Sequence, residues 1–452
     1  MIVARAFAGK RYAVLGLARS GLATVRALLA SGADVVAWDS DETRRVADSP
    51  HPNPSPGGEG LRFADPLTLD LTGFAGVIVS PGVPLNRHPI AVHAKTAGVP
   101  IIGDIELFAQ ARSELPPHKV VGITGTNGKS TTTALVHHIL QTAGVPTTMG
   151  GNIGLPIMAQ EPLTPNDIGV GVYVLELSSY QIDLTHSLDC DVAVLLNVTP
   201  DHLDRYENFE AYAAAKVRLF EMQSVGRFQV VDNQTDAAWG MTDAAKEPQS
   251  VIFYDMLGSS PDLAKATSET YPALPGPHNR LNVAAAAAVC SALNQLGVTI
   301  KHDAIVAGLR SYPGLPHRME RVGERDGVAF INDSKATNAE ATAPALAAFP
   351  AVRWILGGRA KAAELDACIP HLGHVRSAYT IGEAGAMLAE LLRPILPVTE
   401  AGTLDRAVAA AANDAVAGDV VLLSPACASF DQFRDFEDRG DQFRALVKGL
   451  MA

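Results

Sequence analysis

The sequence has few cysteines and fewer basic than acidic residues. Its 452 residues include four cysteines, and none of them belongs to a Cys-x-x-Cys pair. This argues against a zinc or disulfide framework and predicts buried, reduced thiols. Lys and Arg number 36 against 48 Asp and Glu, which gives a formal net charge of −12. So acidic a chain is a poor match for nucleic acid or an anionic membrane, although a local basic pocket for phosphates remains compatible with it.

Long apolar runs are also missing. Residues 1–17 lack the apolar core of a signal peptide, and the longest alanine-rich run, 283–293, is too short to cross a bilayer. We therefore expect a cytoplasmic protein with no membrane span. The hydrophobic content of 47% and the charged content of 19% are ordinary for a soluble enzyme. The length predicts two to four domains.

The most informative motif is a glycine-containing loop in residues 120–133, VVGITGTNGKSTTT. An apolar run, predicted to be a strand, leads into a loop that ends in Gly-Lys-Ser, and a helical segment follows at 134–140. In a phosphate-binding loop, backbone N–H groups face the anion, the lysine adds positive charge and the serine hydroxyl ligates Mg2+. Ile123 stands where the strict pattern has glycine, so this is a variant loop. The alternative interpretation is an ordinary glycine-rich turn.

Apolar patterning divides the chain into three segments in which strands and helices alternate. The first, 1–107, opens with a βαβ pattern whose second strand ends in Asp39, but its glycine spacing is not Gly-x-Gly-x-x-Gly. The second, 108–314, contains the glycine-containing loop, and the third is 315–452. The alternation predicts an α/β fold of three domains with mostly parallel sheets. We expect a Rossmann-like N-terminal domain, a central P-loop ATPase-like domain and a Rossmann-like C-terminal domain. Residues 49–60 are predicted to be a Pro/Gly-rich surface insertion.

Polar motifs follow several predicted strands, where ligands of parallel sheets bind. Glu176 lies in an apolar strand, so it needs either a basic partner or a cation, and the phosphate loop upstream favours Mg2+. A histidine and several acids cluster at 197–205 after the next strand. Lys216 lies on a predicted helix whose composition indicates only a solvated basic face. Four polar or cation-bearing loops of the third segment indicate an anion-binding surface, namely 316–320, 332–338, 356–361 and 423–433.

These motifs together resemble the Mur ligase family of peptidoglycan synthesis. They occur in the family's order across all three segments, and they are TGTNGKS (124–130), GGNIG (150–154), LELSSYQ (175–181), NVTPDHLDRY (197–206), AYAAAK (211–216), HNRLN (278–282), HR (317–318) and NDSKATN (332–338). Within the family, residues 423–440, LSPACASFDQFRDFEDRG, are similar to the D-glutamate-adding members.

The resemblance implies an ATP-dependent amide ligation. ATP phosphorylates the terminal carboxylate of UDP-N-acetylmuramoyl-L-alanine, and the amine of D-glutamate attacks the acyl phosphate. A tetrahedral intermediate then collapses to the amide, ADP and phosphate. Because a carboxylate is a poor electrophile, phosphorylation supplies the leaving group, and metal ions and lysines bring the two anions together. A monomer is expected.

The resemblance also assigns the nucleotide and metal residues. Lys129 would hold the β- and γ-phosphates and act in catalysis with Glu176, His202 and Lys216. Of two Mg2+ sites, with Mn2+ as an alternative ion, Ser130 and Glu176 would bind the first, and Glu176, His202 and a carbamylated Lys216 the second. The ATP contacts would be Gly125, Thr126, Asn127, Gly128, Lys129, Ser130, Thr131, Asn279, Asn282, Arg318 and Asp333.

The two remaining substrates would bind at the outer segments. The UDP substrate would contact Arg19, Ser20, Asp39, Ser40, Ser80, Asn152 and Ser178. D-Glutamate would contact Lys335, Thr337, Lys361, Ser429, Phe430 and Phe436. The sequence departs from the family pattern at Asp41, where a basic residue stacking on uracil would be expected, and the 49–60 insertion follows downstream.

Other functions stay open at the level of sequence. A sibling ligase or a folylpolyglutamate synthase would carry out the same chemistry on another acceptor. A nucleotide-dependent binding or switch protein would use the phosphate loop alone, but it has no need of the second metal site at Glu176, His202 and Lys216. An NAD oxidoreductase is disfavoured by the glycine spacing of the first segment.

Overall fold

The computed structural model describes residues 1–46, 60–201, 205–232, 249–252, 271, 273–274, 277–360 and 365–451. The chain divides into two compact units, one of residues 1–261 with 282–308 and one of 262–281 with 309–452. The first unit contains two sheets and the second unit contains a third. The predicted insertion at 49–60 lies outside the described residues except for Gly60. The three-domain bounds given above stay a prediction.

The first sheet consists of five parallel strands in the order β3-β2-β1-β4-β5. Strands β1 to β5 are Arg11–Leu15, Asp34–Trp38, Leu61–Phe63, Gly76–Val79 and Ile101–Ile102. Helices α1 to α4 of this part of the chain are Arg19–Ala30, Glu42–Val46, Ile90–Thr96 and Asp104–Ala111. Because β1 lies between β2 and β4, the loops that follow these three strands meet at one edge of the sheet.

The second sheet consists of six parallel strands in the order β11-β10-β9-β6-β8-β7. Strands β6 to β11 are His118–Thr124, Thr147–Gly151, Gly171–Glu176, Val192–Leu195, Phe228–Val231 and Gln249–Ile252. Helices α5 to α7 are Lys129–Thr142, Ser179–Asp183 and Phe209–Glu221, followed later in the chain by α8, Pro277–Gln295, and α9, His302–Ser311. Strand β6 has β8 and β9 as neighbours, so the glycine-containing loop lies between Glu176 and the motif that begins at Asn197.

The third sheet has the order β12-β13-β17-β14-β15-β16, and only the edge pair β12–β13 is antiparallel. Strands β12 to β17 are Glu320–Arg325, Val328–Asn332, Val352–Gly357, Val375–Ile381, Val398–Gly402 and Val420–Leu423. Helices α10 to α13 are Ala339–Ala347, Gly385–Leu392, Leu404–Asp414 and Phe436–Met451. Five short 3-10 helices complete the described elements: Arg5–Phe7, Pro66–Thr68, Arg112–Glu114, Ile157–Ala159 and Ile369–His374.

The predicted α/β class is confirmed. Apolar runs at 169–177, 192–197, 228–232, 328–331, 354–356, 378–381 and 420–423 predict strands, and β8, β9, β10, β13, β14, β15 and β17 lie there. Strands of this kind are buried on both faces, as in β8 and β9, where every residue is buried, so they read as continuous apolar runs. Edge strands β3, β5, β7, β11, β12 and β16 were not predicted. The burial of β3, β5, β7, β12 and β16 is partial, so their sequences lack that signal.

Candidate active site

The glycine-containing loop lies between β6 and α5. Gly128, the residue before α5, has a φ of 84°, a left-handed conformation that glycine adopts without strain. A Cβ at this position would lie 2.4 Å from Oδ1 of Asn282, so a larger residue would displace the Asn282 side chain. The tight turn directs the open N-terminus of α5 towards the loop, which is the geometry of an anion-binding site.

Asn197 holds this loop from the neighbouring strand. Its carbonyl oxygen accepts from the backbone N–H of Thr126 at 2.9 Å, and its Oδ1 accepts from the N–H of Asn127 at 2.8 Å. The Lys129 ammonium donates to the carbonyl oxygens of Gly125 and Thr126 at 2.8 and 2.7 Å. Hydrogen bonds within the protein therefore fix the conformation of this loop. Asn197 lies in the motif 197–206, but the motif did not predict its contact with the phosphate loop.

Ser130 and Glu176 form the centre of the predicted metal site. The Ser130 hydroxyl donates to Oε2 of Glu176 at 2.5 Å, and Nδ2 of Asn152 donates to Oε1 at 3.0 Å. Glu176 is 1% exposed and Ser130 is 3% exposed. Both of these donors are neutral, so within the described part of the chain the negative charge of Glu176 is uncompensated. Hydroxyl and carboxylate oxygens are ligands that Mg2+ prefers. The donor set therefore fits a magnesium ion.

Lys216 is buried on the inner face of α7. Its Nζ donates to the carbonyl oxygen of Gly125 at 2.9 Å and lies 4.5 Å from the ring centroid of Tyr212. Burial, reinforced by the charge of Lys129, lowers the pKa of Lys216 to about 6. The amine is therefore largely neutral at pH 7, and a neutral amine is the form that reacts with carbon dioxide. A solvated basic face, the interpretation that composition alone indicated for this helix, is wrong for Lys216.

His202, the remaining predicted metal ligand, lies outside the described residues, which resume at Arg205. On the nucleotide side, Asn282 is 5% exposed and its Oδ1 accepts from the Thr132 hydroxyl at 3.2 Å, so it lies beside the start of α5. Thr131 lies in the first turn of the same helix. Asn279 is 5% exposed as well.

The second unit carries Arg318 and Asp333. Asp333 follows β13, and its carboxylate accepts from the Ser424 hydroxyl at 2.8 Å and from the N–H of Met319 at 3.2 Å. Burial raises the pKa of Asp333 to about 7, against the lowering effects of those hydrogen bonds and of the Arg318 charge. Arg318 is half-buried nearby. The two residues predicted to contact the nucleotide are thus neighbours.

The predicted UDP-substrate residues of the first sheet surround one glycine turn. Gly16 has a φ of 96°, and the Ser80 hydroxyl donates to its carbonyl oxygen at 3.3 Å. The buried Asp39 accepts from the N–H of Leu17 at 2.6 Å, so this acid stabilises the turn rather than standing open at the strand end. Its hydrogen bonds keep the pKa of Asp39 below the usual value although burial raises it.

The other predicted substrate residues of the first unit differ in solvent exposure and in hydrogen-bond partners. Arg19 is exposed and donates to the carbonyl oxygen of Gly154 at 3.3 Å. Ser20 is half-buried and Ser40 is exposed. Ser178 is the N-cap of α6 in a capping box with Gln181, so its hydroxyl is used locally. Near Asp41, the guanidinium of Arg45 stacks 3.6 Å from the Trp38 ring centroid, a basic residue that the sequence analysis did not select.

The predicted D-glutamate residues lie in the second unit. The ammonium of Lys335 is 3.7 Å from the ring centroid of Phe436. Ser429 is 1% exposed, and its hydroxyl has no hydrogen-bond partner within the described part of the chain. Thr337 is half-buried and Phe430 is 65% exposed. Lys361 lies outside the described residues.

Arg439, fully buried in α13, is a residue that the sequence analysis passed over. It donates to the Ser334 hydroxyl and carbonyl at 3.0 and 2.9 Å, to the carbonyl of Cys427 at 3.1 Å and to that of Gly357 at 3.4 Å. It therefore joins the loops after β13, β14 and β17. Burial lowers the pKa of Arg439 to about 10.

Comparison with known proteins adds independent findings. Residues 123–290 match the family model described as the Mur ligase middle domain, and residues 317–427 match the Mur ligase, glutamate ligase domain. The chain is 58% identical over 452 residues to the UDP-N-acetylmuramoylalanine–D-glutamate ligase of Novosphingobium aromaticivorans, covering 100% of this chain and 97% of that one. It is 55% identical over 457 residues to the ligase of the same name from Sphingopyxis alaskensis, covering 100% of both chains.

Solved structures with low sequence identity show the same fold. The MurF ligase of Thermotoga maritima in complex with ADP matches with a TM-score of 0.57 at 16% identity, over 98% of each chain. The UDP-N-acetylmuramate–alanine ligase MurC of the same organism matches with a TM-score of 0.56 at 17% identity, over 98% of this chain and 99% of that one. Within the described residues, no helix has the length and apolar character needed to cross a membrane.

Proposed function

The chain belongs to the Mur ligase family, and from that premise we propose that it joins D-glutamate to UDP-N-acetylmuramoyl-L-alanine in an ATP-dependent, ADP-forming reaction of peptidoglycan precursor synthesis. The observation that carries the proposal is the meeting of the phosphate loop, the buried Ser130–Glu176 pair and the buried amine of Lys216. A switch protein needs only the first of these. Full-length relatives at 58% and 55% identity bear the name of the D-glutamate ligase.

In the proposed reaction, the terminal carboxylate of the UDP substrate attacks the γ-phosphate of ATP and displaces ADP. The amine of D-glutamate then attacks the acyl phosphate, loses a proton and displaces inorganic phosphate. The backbone N–H groups of the loop and the Lys129 ammonium stabilise the negative charge that spreads over the transferring phosphoryl group. Ser130 and Glu176 would hold one magnesium ion, and Glu176, His202 and a carbamylated Lys216 would hold a second. When bound, the metal neutralises the repulsion between the carboxylate and the phosphate.

The acceptor site is proposed to lie at the loops of the third sheet. Lys335 supplies a positive charge for a carboxylate of D-glutamate, and the Ser429 hydroxyl is placed to hydrogen-bond a polar ligand. Asn282, Arg318 and Asp333 are proposed to contact the nucleotide, and Ser80 with the Gly16 turn the UDP moiety. We propose that the reaction takes place in the cytoplasm and that the enzyme is a monomer.

A substrate panel tests the assignment. ADP release is measured with UDP-N-acetylmuramoyl-L-alanine and, in turn, D-glutamate, L-glutamate, meso-diaminopimelate or L-lysine. We expect turnover with D-glutamate. Turnover with another acceptor and none with D-glutamate would identify a sibling ligase instead. ATP binding without ADP release in any combination would favour a nucleotide-dependent switch.

A further inference from the structure

Arg205 makes a contact that the proposed reaction does not use. Its Nη1 donates to the carbonyl oxygen of Gly82 at 3.3 Å, and its Nη2 donates to those of Pro81 and Val83 at 3.2 and 3.0 Å. Three consecutive carbonyls therefore face one guanidinium. A planar fork of donors suits such a set, whereas a lysine ammonium concentrates its donors on one atom.

The carbonyls belong to a turn that supports the predicted UDP-substrate residues. The N–H of Val83 donates to the carbonyl of Ser80 at 3.0 Å and closes the turn. The Ser80 hydroxyl in turn reaches the carbonyl of Gly16. A Cβ on Gly16 would lie 2.6 Å from Oγ of Ser80, so the two loops have little space in which to shift. A displaced turn would therefore move the Gly16 loop or lose its contact with it.

The guanidinium also contacts helix α6, which follows β8 of the second sheet. It lies 4.4 Å from the ring centroid of Tyr180 in that helix. Tyr180 stacks on Tyr206 with centroids 6.0 Å apart and planes 12° apart, and the Tyr206 hydroxyl donates to Asp183 at 2.7 Å. Helix α6 therefore orients both Arg205 and Tyr206, which lie in the loop after β9 and in the same sequence motif as His202.

We propose that Arg205 is a positioning residue for the UDP substrate. It holds the turn 80–83 of the first sheet against the loop after β9 of the second, so that the carboxylate of the bound substrate arrives in register with the phosphate loop. This inference rests on the proposed function and on the assignment of Ser80 to the UDP substrate.

The test compares Arg205→Lys and Arg205→Ala with the wild type. Calorimetry measures the Kd of UDP-N-acetylmuramoyl-L-alanine and of ADP, and steady-state assays measure kcat and each KM. Arg227→Lys is the matched control, because Arg227 is also partly buried in this unit but binds Asp189 and Asp191. We expect the Kd and KM of the UDP substrate to rise about tenfold in Arg205→Lys, in proportion to the loss of charge-assisted hydrogen bonds. We expect ADP affinity, and both constants in Arg227→Lys, to change by less than about twofold.

The binding and turnover results distinguish failure of the proposed function from failure of the proposed role of Arg205. If the wild type neither binds nor turns over the UDP substrate, the proposed function fails. If the wild type binds it and Arg205→Lys binds it equally well, or if both ligands weaken together, the inference is overturned and the function stands. Thermal unfolding checks each variant. Should the Arg205 variants not fold, Tyr180→Leu decides, since loss of the stacking ring should weaken the UDP substrate selectively.

Discussion

The buried amine of Lys216 donates a 2.9 Å hydrogen bond to the carbonyl oxygen of Gly125, the glycine that opens the phosphate loop. Residues 91 positions apart in the sequence are therefore in direct contact. From its composition alone, the helix that carries Lys216 would be interpreted as a solvent-exposed helix. Because of this contact, a change at Lys216 acts on the nucleotide loop.

Lys216→Met should remove activity while making the fold less sensitive to pH. We expect kcat to fall by at least about 100-fold, the scale of a lost charge-stabilising group, and added bicarbonate should not restore it. Folding shifts the pKa of Lys216 from 10.5 to about 6. Between these values the unfolded chain holds a proton that the folded chain has lost, so the wild-type free energy of unfolding rises with pH, by at most about 1.4 kcal/mol per pH unit.

Denaturant unfolding from pH 6 to 10 in bicarbonate-free buffer measures this slope, which Lys216→Met should lack. Lys119→Met is the control, because Lys119 lies in the same unit and pairs with Asp191 at 3.3 Å. It should keep its activity. Near-wild-type turnover of Lys216→Met would remove the carbamate from the mechanism.

Glu176→Gln should lower activity and raise the magnesium concentration that the remaining activity requires. The amide keeps the volume of the carboxylate and can hydrogen-bond Ser130 and Asn152, so the fold should persist. We expect kcat to fall by about 100-fold or more, as for other lost electrostatic groups, with the magnesium titration shifted to higher concentration.

Glu106→Gln is the matched control for this carboxylate. Glu106 is 4% exposed and accepts from the N–H groups of His186 and Ser187 at 2.7 and 2.9 Å. Its variant should lose about 1–3 kcal/mol of stability but keep its magnesium response. Equal magnesium titrations for Glu176→Gln and the wild type would contradict the metal site.

Gly128→Ala should weaken ATP binding more than backbone strain alone explains. Gly128 and Gly226 have φ values of 84° and 85°, but a Cβ at Gly226 would meet nothing within 4 Å, whereas one at Gly128 would meet Asn282. Both alanine variants should lose about 1–2 kcal/mol of stability from the left-handed conformation. Only Gly128→Ala should also raise the Kd of ADP, by about tenfold or more. Parallel behaviour of the two variants would contradict the role of the loop shape.

Ser429→Ala should raise the KM for D-glutamate without lowering stability. The hydroxyl is buried and has no partner within the described residues, so its removal deletes a desolvation cost of about 1–3 kcal/mol instead of a bond. Thr380→Val is the control, because the Thr380 hydroxyl is likewise buried without a partner in the described chain but was not predicted as a ligand contact. Melting temperatures and the three KM values distinguish the variants. A lower melting temperature for Ser429→Ala with an unchanged KM would place the hydroxyl in the fold instead.

Much of this site could be predicted from the sequence because its parts are close together along the chain. The left-handed glycine of the phosphate loop, the strand before it and the helix after it are consecutive, and a buried parallel strand requires the apolar run that precedes Glu176. The α/β class followed from the same alternation. Edge strands such as β12 are half-exposed, so apolar patterning did not reveal them.

The fold class, the phosphate loop and the residue types for ligation follow from local patterns in the amino-acid sequence. Which side chains meet depends on how distant segments pack in three dimensions. The order β9-β6-β8 places Asn197, the loop and Glu176 side by side, a neighbourhood set by hydrogen bonding between strands remote in sequence. The burial of Lys216 lowers its pKa. This burial results from the packing of α7, which the composition of the helix does not predict. The three hydrogen bonds from Arg205 to the turn 80–83 likewise depend on tertiary packing. They form only when the guanidinium lies within hydrogen-bonding distance of a backbone turn that is distant in the sequence.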